Sequence, residues 1–353
     1  MKIMFDINKI IRPNIKNLKP YSSARDEFKG DASVYLDANE NAFGSPLSQN
    51  YNRYPDPMAY DVKMELSKIK GVPARNIFVG NGSDEAIDIL FRSFCNPGID
   101  NVIIVPPTYG MYEVSANIND VQLKRVNLTE DYQLNLEGIA EAIDKNTKLI
   151  FICSPNNPTG NSINREDIET ILANFEGIVV IDEAYINYSR QKSFIQELTE
   201  YANLVVLQTL SKAWGLAALR VGMAYASEEI IEVFNRVKPP YNINEASQKL
   251  ALEALKNVKQ VNDWIKEILK ERDTLVLALK NFDFVIDIYP SDANFILVKT
   301  INADGIYQYL TQQGIIVRNR NKVELCEGCL RITVGTPEEN QALINSLKNF
   351  KND

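Results

Sequence analysis

The 353-residue chain contains no histidine. That absence removes every Ser-His-Asp triad, Cys-His dyad, HExxH zinc site and imidazole proton shuttle. Any catalysis must therefore run on Lys, Tyr, Asp, Glu, Arg, Cys or a cofactor. Cysteine is scarce: of Cys95, Cys153, Cys326 and Cys329, three are scattered or lie beside apolar runs. They make no disulfide framework and suit a reducing, cytoplasmic setting. Cys326 and Cys329 form a lone CxxC with no second pair or histidine to complete a zinc site, so no metal is expected. No charge-free apolar stretch reaches the ~18 residues of a membrane span. The first twenty residues interleave charge with apolar residues and build no signal-peptide core. Positive charge is also short, 38 Lys and Arg against 46 Asp and Glu for a net charge of −8. That balance argues against nucleic acid or an acidic membrane surface as partner.

What is present is an ordinary soluble composition, 45% hydrophobic and 24% charged, long enough for about two domains. From about 60 to 230, helical patterns alternate with short apolar runs: Ile77–Val79, NVIIV (101–105), VQLKRV (121–126), KLIFIC (148–153), GIVVID (177–182), NLVVLQT (203–209) and RVGMAYA (220–226). Several are apolar on successive residues, as strands buried on both faces are, which predicts a mostly parallel sheet between helices. Asp61–Lys70 reads as a helix closed by Gly71, and DEAIDILFRSF as a helix opened by Gly80-Asn81-Gly82-Ser83. After about 245 come long helical segments (Glu245–Leu279), the runs DFVIDIYP, NFILVKT, GIIVR and LRITV, a helix near 303–313 and another from Pro337. That mixture predicts a smaller α+β domain. The expected division is an N-terminal segment, 1–45, packing with the small domain, a large domain over 46–245 and the small domain over 246–353.

In open parallel sheets, ligands bind beyond the carboxyl ends of the strands. Here those ends carry Thr108 and Tyr109, Ser154 to Gly160, Asp182 to Tyr185, and Ser211 with Lys212. Each cluster alone reads most simply as a turn, a cap or a solvated charge. Four on one rim are harder to explain that way. Desolvation lowers a lysine's pKa and makes Lys212 available for Schiff-base chemistry. Asp182 leaves a buried strand and needs a cationic partner, a place that a pyridinium nitrogen fills in pyridoxal phosphate enzymes. Ser83 and Asp84 open a helix after a glycine turn, an anion site to which Ser211 and Arg220 can add contacts.

These segments resemble the fold type I pyridoxal-phosphate aminotransferases. TLSKAWGLAALRVGMAYA looks like the cofactor-lysine segment, and SPNNPTG, VIDEAY and GNGSDEAI match further signatures in the same order. Within that group the likeness is greatest to the histidinol-phosphate aminotransferase family, through LKPYSSAR, LDANENAFG, NRYPDP, GIIVRNR and GCLRITVGTPEEN. Ala42 and Ala218 depart from the pattern without removing a reactive group.

The resemblance implies a large domain with a mostly parallel seven-stranded sheet, an α+β small domain and pyridoxal 5′-phosphate as cofactor. By residue, it implies that Lys212 carries the cofactor and moves the proton, and that Asp182 faces the pyridine nitrogen. Asn157 and Tyr185 would reach the phenolic oxygen, with Asn157 also touching substrate, and Tyr109 would stack on the ring. Ser83, Asp84 (through its backbone), Ser211 and Arg220 would hold the phosphate, joined by Tyr54 from the partner of a homodimer. Arg331, assisted by Arg318 and Tyr21, would clamp the substrate's anionic end. The implied substrates are glutamate, 2-oxoglutarate, histidinol phosphate and its keto counterpart. An aromatic amino acid aminotransferase or a threonine-phosphate decarboxylase would share the cofactor motifs, and a regulator on this scaffold would bring a DNA-binding extension.

Overall fold

Among the described residues the apolar runs become eleven strands in two sheets. The computed structural model describes residues 5–21, 23–27 and 32–351. The large sheet contains β1 (Ile77–Asn81), β2 (Asn101–Ile104), β3 (Gln122–Arg125), β4 (Thr147–Cys153), β5 (Ile178–Asp182), β6 (Leu204–Thr209) and β7 (Val221–Ala226), in the order β1-β7-β6-β5-β4-β2-β3. β7 runs antiparallel to both of its neighbours, and every other pairing is parallel. The small sheet is antiparallel, in the order β10-β11-β9-β8, from β8 (Val285–Ile288), β9 (Phe295–Thr300), β10 (Arg318–Asn319) and β11 (Cys329–Thr333).

Strand periodicity sorts the buried side chains into two cores. Ile103, Ile150, Ile152, Val179, Ile181 and Val206 face one side of the large sheet. Val102, Ile104, Leu149, Phe151, Val180 and Val205 face the other. Successive residues pointing to opposite faces explain why these strands read as unbroken apolar runs. Full burial of each such side chain contributes about 1.5–3 kcal/mol, so the central strands hold the rim above them rigidly. A third core, around Leu275, Ile296, Val298, Ile306 and Leu330, belongs to the small sheet and its helices. The 22-residue helix Val258–Leu279 joins the two parts: Val261 and Ile265 pack in a large-sheet core, Leu275 and Leu279 in the small one. Among the described residues no helix is long and apolar enough to cross a membrane.

Two expectations need correction. The start of the N-terminal segment packs on the large domain. Ile10, Ile11 and Ile15 join the core around Phe91 and Phe94. The Arg12 guanidinium donates to the Arg92 carbonyl at 2.7 Å, and the Arg12 backbone N–H to that of Ser93 at 3.0 Å. A helix C-terminus presents unpaired carbonyls, and here the arm satisfies two belonging to the Gly82–Phe94 helix. The run GIIVR yields a ladder only at Arg318–Asn319, so its apolar residues precede the strand.

Candidate active site

The carboxyl ends of β1, β2, β4, β5 and β6 and the beginning of β7 open on one rim. A cavity of about 660 Å³ lies between that rim and β10–β11. Ser83, Asp84, Tyr109, Asn157, Asp182, Tyr185, Ser211, Lys212, Arg220, Arg318 and Arg331 all line it. Tyr54 and Tyr21 do not. Tyr54 is half-exposed and stacks on Tyr241 with centroids 4.4 Å apart. Tyr21 is 75% exposed, beside Pro57, Arg236 and Lys238.

One end of the cavity is an anion cradle. The Gly82–Phe94 helix begins with no side chain capping its first turn, so its N–H groups and dipole face the cavity. β7 approaches so closely that a Cβ on Gly222 would lie 2.1 Å from the Ser83 nitrogen, and Gly82 donates its N–H to the Arg220 carbonyl at 2.8 Å. Arg220 adopts the left-handed conformation (φ 53°), uncommon for a residue with a Cβ. Its guanidinium lies 3.3 Å from the Asp84 carboxylate and 3.4 Å from the Ser211 hydroxyl. Thr209 Oγ1 accepts the Ser211 N–H at 3.0 Å, which fixes the turn that carries Lys212.

The middle of the cavity combines a buried acid with a lysine. Asp182 ends β5 at 3% exposure and accepts from the Tyr112 hydroxyl at 2.7 Å and from the Ala184 N–H at 3.1 Å. Burial pushes its pKa up to about 6, against the pull of those two donors. Lys212 projects into the cavity, reachable from solvent yet surrounded by protein, with Nζ 5.6 Å from the centre of the Tyr185 ring. Burial and then the Arg331 guanidinium hold it below an ordinary lysine, while Asp182 pulls the other way. Tyr109 donates to Asp84 at 3.1 Å. Burial raises the phenol pKa of both Tyr109 and Tyr185, so each is a neutral hydrogen-bonding group.

The far end is cationic. Arg331, on β11, lies over Phe295 at 5.1 Å and donates to the Asn157 side chain across the two domains. Arg318 lies directly opposite it on β10. Arg320 also lines the cavity, a residue that motif reading does not single out although the segment GIIVRNR contains it. Tyr112 is equally inconspicuous in sequence. It follows Tyr109 by one helical turn and looks like a core aromatic.

A pyridoxal phosphate fits these residues. Uncapped helix N–H groups with Ser83, Ser211 and Arg220 suit its phosphate, and buried Asp182, short of a cation, suits its ring nitrogen. Lys212 lies beside Tyr185, between them. The arrangement is that of an enzyme built around this cofactor. The chain belongs to the family of class I and II aminotransferases, whose model matches residues 31–347. It is 55% identical over 348 residues to the histidinol-phosphate aminotransferase of Parabacteroides distasonis, covering 99% of this chain and all of that one. The fold is that of a histidinol-phosphate aminotransferase from Sinorhizobium meliloti solved with pyridoxal-5′-phosphate: TM-score 0.78, 23% identity, 88% of each chain covered. It is also that of the L-threonine-O-3-phosphate decarboxylase of Porphyromonas gingivalis: TM-score 0.73, 24% identity, 85% of this chain and 91% of that one covered.

Proposed function

We propose that the protein transfers an amino group from glutamate to imidazole-acetol phosphate, giving 2-oxoglutarate and L-histidinol phosphate. The observation that carries this reading is the pairing, in one cavity, of Lys212 beside the buried Asp182 with an arginine cluster at the opposite end. Near-full-length similarity to histidinol-phosphate aminotransferases supports the substrate.

When bound, pyridoxal phosphate carries the amino group between the two substrates and accepts electron density from the substrate Cα. Asp182, held in place by the Tyr112 hydroxyl, would keep the cofactor's ring nitrogen protonated. Asn157 and Tyr185 would orient the cofactor through its phenolic oxygen, and Tyr109 would cover its ring. Lys212, its amine biased toward neutrality, would take the proton from the substrate Cα, hold it as an ammonium and deliver it to the cofactor's C4′ carbon. Arg331 and Arg318 receive a phosphate dianion from one substrate and a carboxylate from the other.

Histidinol phosphate should convert the holoenzyme at far lower concentration than phenylalanine, and threonine phosphate should release no carbon dioxide. Preference for phenylalanine would make the enzyme an aromatic aminotransferase, and carbon dioxide release a decarboxylase. Arg331→Lys should raise the KM for histidinol phosphate about tenfold, because an ammonium cannot make the bidentate contact. An unchanged KM would place the phosphate elsewhere.

We also infer a homodimer. Leu36, Phe43, Leu47, Tyr54, Tyr60 and Met64 are all exposed within one stretch of the chain, the kind of apolar surface that an interaction partner covers. Glu40 accepts the Tyr54 N–H at 2.7 Å and pairs with Arg25 and Arg53, which anchors the backbone of that loop. Sedimentation should give twice the chain mass of 39.9 kDa, and a single-chain mass at assay concentration would overturn the shared site. The four free, buried cysteines support placing the enzyme in the cytoplasm.

A further inference from the structure

The substrate end of the cavity holds more positive charge than two arginines supply. Arg318 and Arg331 face each other directly across the β10–β11 ladder. Arg320 lies two residues beyond Arg318, its backbone N–H donating to the Cys329 carbonyl at 2.9 Å. Alternate residues of an extended chain share a face, and all three arginines line the cavity.

Among the described residues none of these guanidiniums has an ion-pair partner, and only Arg331 makes a side-chain hydrogen bond, to Asn157. The Nε of Arg320 and that of Arg331 are buried with no acceptor. Burial, followed by Arg331 and Arg318, acts against the charge on Arg320. The cavity's two carboxylates are engaged elsewhere, Asp84 with Arg220 and Tyr109, Asp182 with Tyr112. Like charges opposed across a ladder and buried donors without acceptors both cost stability. An anion with many acceptor sites relieves both costs at once.

We propose that Arg320 is a specificity-determining residue, a third guanidinium that joins Arg318 and Arg331 on the substrate's phosphate monoester and favours that dianion over a carboxylate. The inference rests on the transamination reading above. A carboxylate has two oxygens and one charge, which a single bidentate guanidinium satisfies. A phosphate monoester presents three terminal oxygens and nearly two charges at neutral pH, enough acceptors to engage a second and third arginine. Glutamate therefore leaves Arg320 unused, whereas the phosphorylated substrate does not.

The test compares wild-type holoenzyme with Arg320→Gln and Arg320→Lys. Bound cofactor fills the helix-terminal cradle, so added inorganic phosphate reports on the arginine end alone. Arg320→Gln should lower kcat/KM for histidinol phosphate about 10- to 100-fold, mainly through KM, the worth of a charge-assisted hydrogen bond. It should change kcat/KM for glutamate less than about threefold. Calorimetric binding of inorganic phosphate should weaken in parallel while that of acetate holds, and Arg320→Lys should restore only part of the loss. The ligand-free Arg320→Gln protein should melt at or above the wild-type temperature, because an unpaired like charge has been removed. Equal losses on both substrates, unchanged phosphate binding or a lower melting temperature would overturn the proposal. A wild-type enzyme that does not prefer histidinol phosphate over phenylalanine would instead overturn the transamination reading, whatever the variants do.

Discussion

Lys212→Ala should reduce steady-state transamination by about 10⁴-fold or more, the upper range for loss of a positioned general base. The protein should stay folded. Among the described residues the Lys212 amine has no ion pair, and its ring neighbour Tyr185 lies 5.6 Å away. Truncation removes a partly desolvated cation near Arg331 and opens no hole in either large-sheet core. Its effect on stability should therefore stay within about 0.5 kcal/mol, as for a surface substitution. Melting curves with and without pyridoxal phosphate, alongside the rate, separate the two effects. The cofactor should still raise the melting temperature of the variant, because the helix cradle and Asp182 remain. Turnover within tenfold of wild type would sink the role given to Lys212, and an unfolded variant would show that the lysine also supports the loop.

Asp182→Asn should have opposite effects on activity and stability. With the cofactor bound, loss of the carboxylate proposed to face the ring nitrogen should cost about 10²–10³-fold in kcat, in line with other losses of one preorganised charge. Without the cofactor the same change should stabilise the protein. The native pKa of Asp182, about 6, exceeds the ordinary aspartate value of 3.8. Between those values the folded chain binds more protons than the unfolded one, so stability falls as pH rises through the interval. The penalty is absent below about pH 4 and full above about pH 6, on the order of 1–3 kcal/mol. Wild-type apoprotein should therefore melt below the Asp182→Asn variant at about pH 8, and the two should melt alike at about pH 4. Equal melting temperatures at the higher pH would show that the Tyr112 and Ala184 hydrogen bonds already compensate the buried charge. With no histidine in the chain, no imidazole titrates across that window.

Sequence predicted the strands best where both faces are buried. β2, β4, β5, β6 and β7 match the apolar runs closely because each residue faces one core or the other. It predicted poorly where a run is apolar for another reason. In GIIVR, Val317 is buried but Ile316 is 70% exposed, and only the last residue enters a ladder. The pocket residues at strand ends were legible as clusters because the fold gathers strand ends on one rim. Tyr112 was not, since an aromatic on a buried helix face looks the same whether it fills space or holds a carboxylate. Arg320 was hidden by its neighbour: the alternation that puts Arg318 in the cavity puts residue 320 there too. Tyr54 and Tyr21 are site candidates through family resemblance alone, and within one subunit neither lines the cavity. The N-terminal arm carried too little periodicity to show which domain its three buried isoleucines would join.

The reversed direction of β7 has a consequence for which parts of the chain can change length. Most large-sheet strands are joined by crossovers through helices, which can absorb an extra residue on the side away from the rim. The segment 210–220 is different, because it is closed at its base by Thr209 paired with Gly222 and by the Leu210 N–H donating to Val221 at 3.0 Å. Inside that closed ring the Leu216 N–H returns to the Leu210 carbonyl at 3.0 Å, and that of Gly215 to Lys212 at 3.1 Å. Lys212 and Arg220 are thus set apart by a fixed count of residues between two pinned ends. One insertion would alter the reach from amine to guanidinium with no slack to take it up. Circular permutants or tags placed in this ring should fail, while the same changes in the helical crossovers should be accommodated.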